Sequence, residues 1–202
     1  YKPADIKQAH DDLVKLCDNR NVMKRASEIV QKYPDVDDIL WSIREKYEYS
    51  DDKYAVVVPK KIEDIIYEGR ALGHCLDKSD IYFDRIQRRE SFIVFLRRMD
   101  DIKKPYYTME IEPDGTTRQK RTTGDRQDKD FQEAVSFIRK WQGEVKKRLD
   151  RNDKNLAAQS AKLREEEFKE LRKNQTKVWH GMLAGKLLAD VLEADLMVAS
   201  EH

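Results

Sequence analysis

The sequence predicts an α+β fold: a small antiparallel sheet of about four strands flanked by helices, with an N-terminal helical module and a C-terminal helical extension. Three observations carry this. Short β-branched or aromatic runs (Tyr54–Val58, Ser91–Arg98, Tyr106–Glu112 and Thr116–Thr122) cluster in the middle of the chain. Apolar residues at three- and four-residue spacing fill both ends. Pro113-Asp114-Gly115 is a turn signal between the last two runs, which makes them a hairpin.

In chain order, Ala4–Asp18 puts Ile6, Leu13, Val14 and Cys17 at helical spacing. Val22–Tyr33 repeats the pattern until Pro34 stops it. Val36–Tyr47 reads as a third helix, with Ile39, Leu40, Ile43 and Tyr47 on one face and Asp35 as its N-cap. Residues 1–50 therefore read as a helical module. Residues 54–150 read as the α+β core, its strands interleaved with helices at Lys61–Leu72 and Ile81–Arg89. The core closes on a helix striped by Phe131, Ala134, Val135, Ile138, Trp141, Val145 and Leu149. Within 151–202, Arg151–Gln175 reads as a charged, solvated helix with pairs such as Glu165 and Lys169. Val178–Val198 reads as an amphipathic helix in which Gly181 and Gly185 permit close packing.

Composition narrows the function classes. The 202 residues hold 40 Lys+Arg against 39 Asp+Glu, a formal net charge of +1. That balance excludes a disordered polyanion or a polycation. Charged residues make up 39%, against about 25% in ordinary soluble domains, which points to long helices with much exposed surface. With a mean hydropathy of −0.87 and no run as long as a membrane-spanning helix, no membrane partner is expected. Cys17 and Cys75 lie far apart and outside any C-x-x-C spacing, so neither a disulfide framework nor a metal site is expected. No cofactor is expected either. Without a signal peptide the expected location is the cytoplasm. The first residue is Tyr1 rather than Met, which reads as part of a longer protein.

The candidate chemistry lies between Pro59 and Arg126. His74 and Cys75 are adjacent, and adjacent side chains diverge on a helix or strand, so the two cannot readily pair with each other. His10, His180 and His202 are the other histidines, each in a different segment. The bland reading makes Cys75 a small buried apolar residue and His74 a helix end. On the Tyr106–Glu112 strand, Thr108 and Glu110 share one face while Tyr107, Met109 and Ile111 share the other. A two-residue Asp114-Gly115 turn sets Gln119 opposite Glu110 and Arg121 opposite Thr108. A three-residue loop bulged at Gly115 instead pairs Glu110 with Arg118. Both registers stay open. Basic side chains crowd the same block: Arg85, Arg88, Arg89, Arg97, Arg98, Lys103, Lys104, Arg118, Lys120, Arg121 and Arg126, with Tyr82, Tyr106 and Tyr107 among them. They make a nucleic-acid surface a candidate, set against the reading of a solvated surface of mixed charge.

Chained motifs in this block resemble a known family. They are Pro59-Lys60-Lys61-Ile62-Glu63-Asp64, Glu68-Gly69-x-x-Leu72-x-His74-Cys75-Leu76 and Tyr82-x-x-x-Ile86. Ser91-Phe92-Ile93-Val94-Phe95-Leu96-Arg97, Pro105-Tyr106-Tyr107-Thr108-Met109-Glu110-Ile111 and Gln119-Lys120-Arg121 continue the series toward Trp141. Over roughly Pro59–Leu149 the chain resembles the PcfJ-like family. Gly73 stands where that family often has a second histidine, and Asp125-Arg126-Gln127 where it has Asn-Arg-Gln. The resemblance implies an origin in conjugative plasmids, phages and related mobile elements, and no established reaction. It singles out His74, Cys75, Tyr82, Arg97, Tyr107, Glu110, Gln119 and Arg121 as positions that match the family's recurring residues.

Three functions follow, in order. The first is a mobile-element accessory protein that binds nucleic acid or a nucleoprotein partner, with Tyr82, Arg97, Tyr107, Thr108, Arg121 and Arg126 as its binding residues. The second is an interaction module that reaches a protein partner or a second copy through residues 178–198. The third is an enzyme with His74, Cys75, Glu110 and Gln119 as catalytic candidates.

Overall fold

A computed structural model describes residues 21–73, 80–123, 129–179 and 181–199. The expected helix at Ala4–Asp18 lies outside them. Helices occupy residues 21–32 (α1), Val36–Ser42 (α2), Arg44–Tyr47 (α3), Ile62–Ala71 (α4), Ile81–Gln87 (α5), Phe131–Lys146 (α6), Arg151–Lys173 (α7) and Leu188–Asp195 (α8). The strands are Tyr49–Ser50 (β1), Tyr54–Val57 (β2), Phe92–Arg98 (β3), Tyr107–Ile111 (β4) and Thr117–Arg121 (β5). They form one antiparallel sheet in chain order, so each strand pairs with its sequence neighbour. The fold is α+β as expected. The fifth strand is β1, whose two residues are too short to leave a periodic signal.

One apolar face of the sheet packs on α6. Leu96, Tyr107 and Lys120 meet Ala134, Val135 and Ile138 there. Trp141 sits fully buried at the centre of this layer. Its Nε1 donates to the Tyr47 carbonyl at 2.7 Å, and the Tyr47 hydroxyl donates to the Pro113 carbonyl at 2.7 Å. The Tyr47 ring also lies 5.6 Å from that of Phe92. These contacts tie α6, the N-terminal helices and the β4–β5 hairpin to one point. The core continues into the N-terminal helices through Ile29, Val36, Leu40 and Ile43.

Several elements differ from expectation. The helix expected over Val36–Tyr47 breaks at Ile43, which caps both α2 and α3. Asp35 precedes α2 without a side-chain cap; its carboxylate instead accepts from Gln87 Nε2 at 2.6 Å. The charged helix α7 is not solvated all round: Asp153, Ala157, Ser160 and Arg164 are buried along one side. Asp150 and Asp153 form a reciprocal capping box at its start. The helix expected over Val178–Val198 begins only at Leu188. Gly181 and Gly185 hold φ of +86° and +87°, outside the helical range, so their spacing shapes a turn rather than a helix contact.

The β4–β5 hairpin combines features of both expected registers. The Glu112 amide donates to the Thr116 carbonyl at 2.8 Å, so Pro113-Asp114-Gly115 is the three-residue loop, with Gly115 at φ +90°. Ile111 then pairs with Thr117, but Glu110 pairs with Gln119 and Thr108 with Arg121. Arg118 is the extra residue between them, a bulge that restores the register of the polar strip.

Truncating Trp141 removes the ring and the Tyr47 bond together. Trp141→Ala is expected to cost about 3–5 kcal/mol of folding stability in urea unfolding of the chain. A loss below about 1 kcal/mol contradicts this packing.

Candidate functional site

The other face of the sheet is polar in its middle and covered by α4, α5 and α7. Strand alternation turns Ile93, Phe95 and Arg97 of β3 to this side, with Thr108 and Glu110 of β4 and Gln119 and Arg121 of β5. Glu110 is 2% exposed. It accepts from Arg85 Nη1 at 2.9 Å, Ser91 Oγ at 2.6 Å and Gln119 Nε2 at 3.2 Å. Arg85 comes from α5 and reaches on to Glu167 of α7 at 2.9 Å. Arg89, at φ +58°, reverses the chain after α5 and delivers Glu90 and Ser91 to this face.

A second knot lies beside the first. Glu112 accepts from Arg118 Nε at 2.8 Å and Arg164 Nη1 at 2.6 Å. Arg118 also reaches Glu90 at 3.1 Å, and the Ser160 hydroxyl at 3.0 Å. Ser160 in turn donates to the Glu90 carbonyl at 2.6 Å. At the far end Arg97 makes a two-pronged contact with Glu68 of α4 and lies over the Phe95 ring at 4.9 Å. Buried Glu68, Glu90, Glu110 and Glu112 thus face buried Arg85, Arg97, Arg118 and Arg164. Burial pushes the Glu68 and Glu112 carboxyls above the usual carboxylate range, against the pull of their arginines. Burial also raises the Tyr82 phenol, helped by nearby Glu110. Thr108 Oγ1 is buried on this face with no hydrogen-bond partner among the described residues.

The structure therefore gathers Glu110, Gln119, Thr108, Arg121 and Tyr82, with Arg121 Nε donating to Gln119 Oε1 at 3.1 Å. Arg97 shares their face but is held by Glu68. Tyr107 does not join them; it is buried on the α6 side, edge-on to Tyr106 at 4.6 Å. His74, Cys75 and Arg126 lie outside the described residues. The sequence offers Arg85 and Arg118 only as part of a basic or mixed-charge surface, with Arg118 also a possible partner of Glu110, and marks no role for Glu112 or Arg164. The available signal was Glu110-x-Glu112 on one strand face beside apolar β3 residues, a pair of acids that burial obliges to find arginines.

Two further features are open to solvent. Asp130 accepts from Arg98, Tyr54 and Tyr106 beside a cleft of about 750 Å³. Lys104, Lys129, Thr122, Thr123, Asp100 and Asp101 line the cleft. The second feature is the segment between α7 and α8. It folds back as a hairpin, with Val178 N–H on the Lys186 carbonyl at 2.9 Å and Leu188 N–H on the Thr176 carbonyl at 2.8 Å. Trp179 and Met182 at its tip are 86% and 93% exposed. Among the described residues no cluster of His, Cys, Asp and Glu could hold a metal ion, and no helix is long and apolar enough to cross a membrane.

A family model described as PcfJ-like protein matches residues 1–135, more than half of the chain. The chain belongs to the PcfJ-like family. The match begins at residue 1 rather than near Pro59, so it takes in the N-terminal helices as well as the sheet. It ends within α6, so α7 and the hairpin lie beyond it. This PcfJ-like chain is 28% identical over 110 residues to the uncharacterized protein Lin1253/Lin1744 of Listeria innocua, spanning 54% of this chain and 22% of that protein. No solved structure matches it significantly.

Two outcomes follow from the polar groups. Burial works against the Asp130 carboxylate, but hydrogen bonds from Arg98, Tyr106 and Tyr54 outweigh it and hold its pKa at about 2. A depressed carboxyl stabilises the fold above its unfolded value and loses that contribution as pH falls through the folded one. Asp130→Asn is therefore expected to lower the urea midpoint at pH 7, with a deficit that shrinks as pH drops from about 4 toward 2. A deficit independent of pH contradicts the assignment. Thr108→Val removes the orphan hydroxyl at constant shape and is expected to be neutral or stabilising by up to about 2 kcal/mol. A clear loss in the same unfolding assay shows that the hydroxyl is satisfied in solution.

Proposed function

We propose that this PcfJ-like protein is an accessory factor of a mobile genetic element that binds nucleic acid, and that the hairpin between α7 and α8 makes the contact. The hairpin's charge carries the reading. In a chain with nearly equal acids and bases, no Asp or Glu occurs between Glu170 and Asp190, while Arg172, Lys173, Lys177 and Lys186 do. Arg172 pairs with Asp190 and Glu193, which anchors the hairpin's base to α8. Lys173, Lys177 and Lys186 are exposed and have no carboxylate partner among the described residues. Three exposed cations close in sequence to an exposed aromatic ring suit a polyanion with flat bases.

The central block supports a smaller surface than its composition suggests. Arg85, Arg97 and Arg118 are buried in ion pairs, and Arg98 and Lys120 are paired with Asp130 and Asp195. Among the described residues Arg89, Lys103, Lys104 and Lys129 remain exposed, the last two lining the cleft. The mobile-element context rests on what the family resemblance implies.

The test is fluorescence anisotropy of labelled oligonucleotides against a salt series. Binding is expected at low salt and is expected to fall steeply as salt rises. Lys177→Ala with Lys186→Ala should weaken binding to all sequences alike and reduce the log–log salt slope by about 2. No anisotropy change at low salt with single-stranded or duplex oligonucleotides sinks the proposal.

A further inference from the structure

We infer that Trp41 and Arg44 form a docking point for a protein partner, which enters it with a carboxylate flanked by lysine or arginine side chains. The inference is independent of the hairpin and of its nucleic-acid reading.

The first argument is an arginine without a carboxylate. Arg44 opens α3, and its guanidinium carbon lies 3.8 Å from the centroid of the Trp41 ring. That indole is 62% exposed. Arg44 is half-buried, and its Nε is buried without a hydrogen-bond partner. Among the described residues no carboxylate pairs with it. By contrast Arg85, Arg97, Arg118 and Arg164 each hold at least one. A charged donor taken out of water without an acceptor is costly, and stacking on an indole offsets only part of that cost. With Nε sealed, the Nη1–Nη2 end of the fork is left for a ligand. A carboxylate fits it with two parallel hydrogen bonds. The indole holds the fork in place beforehand, which lowers the ordering cost of binding.

The second argument is the surroundings, which select the occupant. Asp38 lies one turn before Trp41 on α2, and Glu45 follows Arg44 directly. Both acids are exposed, and neither pairs with a cation among the described residues. Arg148 reaches α3 but is engaged by the carbonyls of Glu45, Lys46 and Glu48. A run of phosphates laid on Arg44 meets Asp38 and Glu45 as well, and like charges brought together are costly. A peptide carboxylate with a base on either side satisfies Arg44 and both acids. The apolar stems of those bases also pack well on an exposed indole.

The experiment uses the isotope-labelled full chain and pentapeptides capped at both ends: Lys-Lys-Glu-Lys-Lys, Lys-Lys-Gln-Lys-Lys and Glu-Glu-Glu-Glu-Glu. Oligo-dT is the nucleic-acid arm. Titrations are followed by NMR at the Trp41 indole N–H signal, assigned by its loss in Trp41→Phe. The glutamate-centred basic peptide is expected to shift this signal, with an affinity about tenfold above that of the glutamine-centred one. Arg44→Ala, followed at the backbone amides around it, should erase that difference with an unchanged melting curve. Arg44→Lys should erase most of it, because it keeps the charge and loses the fork. Asp38→Asn with Glu45→Gln should weaken both lysine peptides and leave their ratio unchanged. The glutamate–glutamine comparison leaves the protein unaltered, so it decides the matter even if a variant misfolds. No shift with the glutamate-centred basic peptide overturns the inference, as does equal affinity for its glutamine counterpart or unchanged affinity in a folded Arg44→Ala variant. Tighter binding of pentaglutamate or oligo-dT at the same signal also overturns it, and makes the point a polyanion site instead.

Discussion

Glu112 sits 1% exposed between Arg118 and Arg164, one guanidinium from the neighbouring strand and one from the long charged helix. A carboxylate so deeply buried is costly unless it is paired and fully hydrogen-bonded. Much of the structure follows from meeting that condition. The bulge at Arg118 brings its side chain within reach and returns the strand to the register that sets Gln119 against Glu110. Arg164 can reach Glu112 only if α7 lies flat against the sheet. Once α7 lies there, Ser160 bridges Arg118 and Glu90, and Glu167 completes the surroundings of Arg85.

The two faces of the sheet are therefore held by different physics. On one side α6 packs Trp141, Ile138 and Phe137 on apolar strand residues, and area removed from water provides the stabilisation. On the other side α7 has few large apolar side chains and is seated by matched charges. Such a layer adds less net stability than an apolar one would, because each ion carries a desolvation cost. It is more demanding of geometry, since removal of one partner strands the other. The polar strip of Thr108, Glu110, Gln119 and Arg121 belongs to this layer, and its acids are occupied by arginines and hydrogen-bond donors. Lys173, Lys177 and Lys186 lie outside this layer, exposed at the end of α7 and on the hairpin that follows it.

What the sequence disclosed and withheld divides along physical lines. The strands β2 to β5 and the helices α4 to α6 announce themselves through periodicity, because apolar alternation is imposed by burial. The pairing of Glu110 with Gln119 was one of two legible registers, and a bulge that no local signal marks decided it. The seat of α7 was hidden because its buried face is Asp153, Ser160 and Arg164, residue types that solvent normally claims. The final helix is shorter than its periodicity suggests, because Trp179, Met182, Leu183 and Leu187 fall at helical spacing without forming a helix. Their backbone turns at two glycines that a helix tolerates poorly. Family motifs singled out the strip residues, yet Tyr107 faces the opposite layer from Glu110, as strand alternation requires.

The account stands on α7 being an integral layer of the fold, fastened through Glu112, and not a solvated arm. Native-state hydrogen exchange of the full chain measures this most directly. Amides of α7 between Ala157 and Arg164 are expected to exchange only with the interior strand β4, at the same opening free energy. Exchange of those amides at a much lower opening energy, while β4 stays protected, contradicts it.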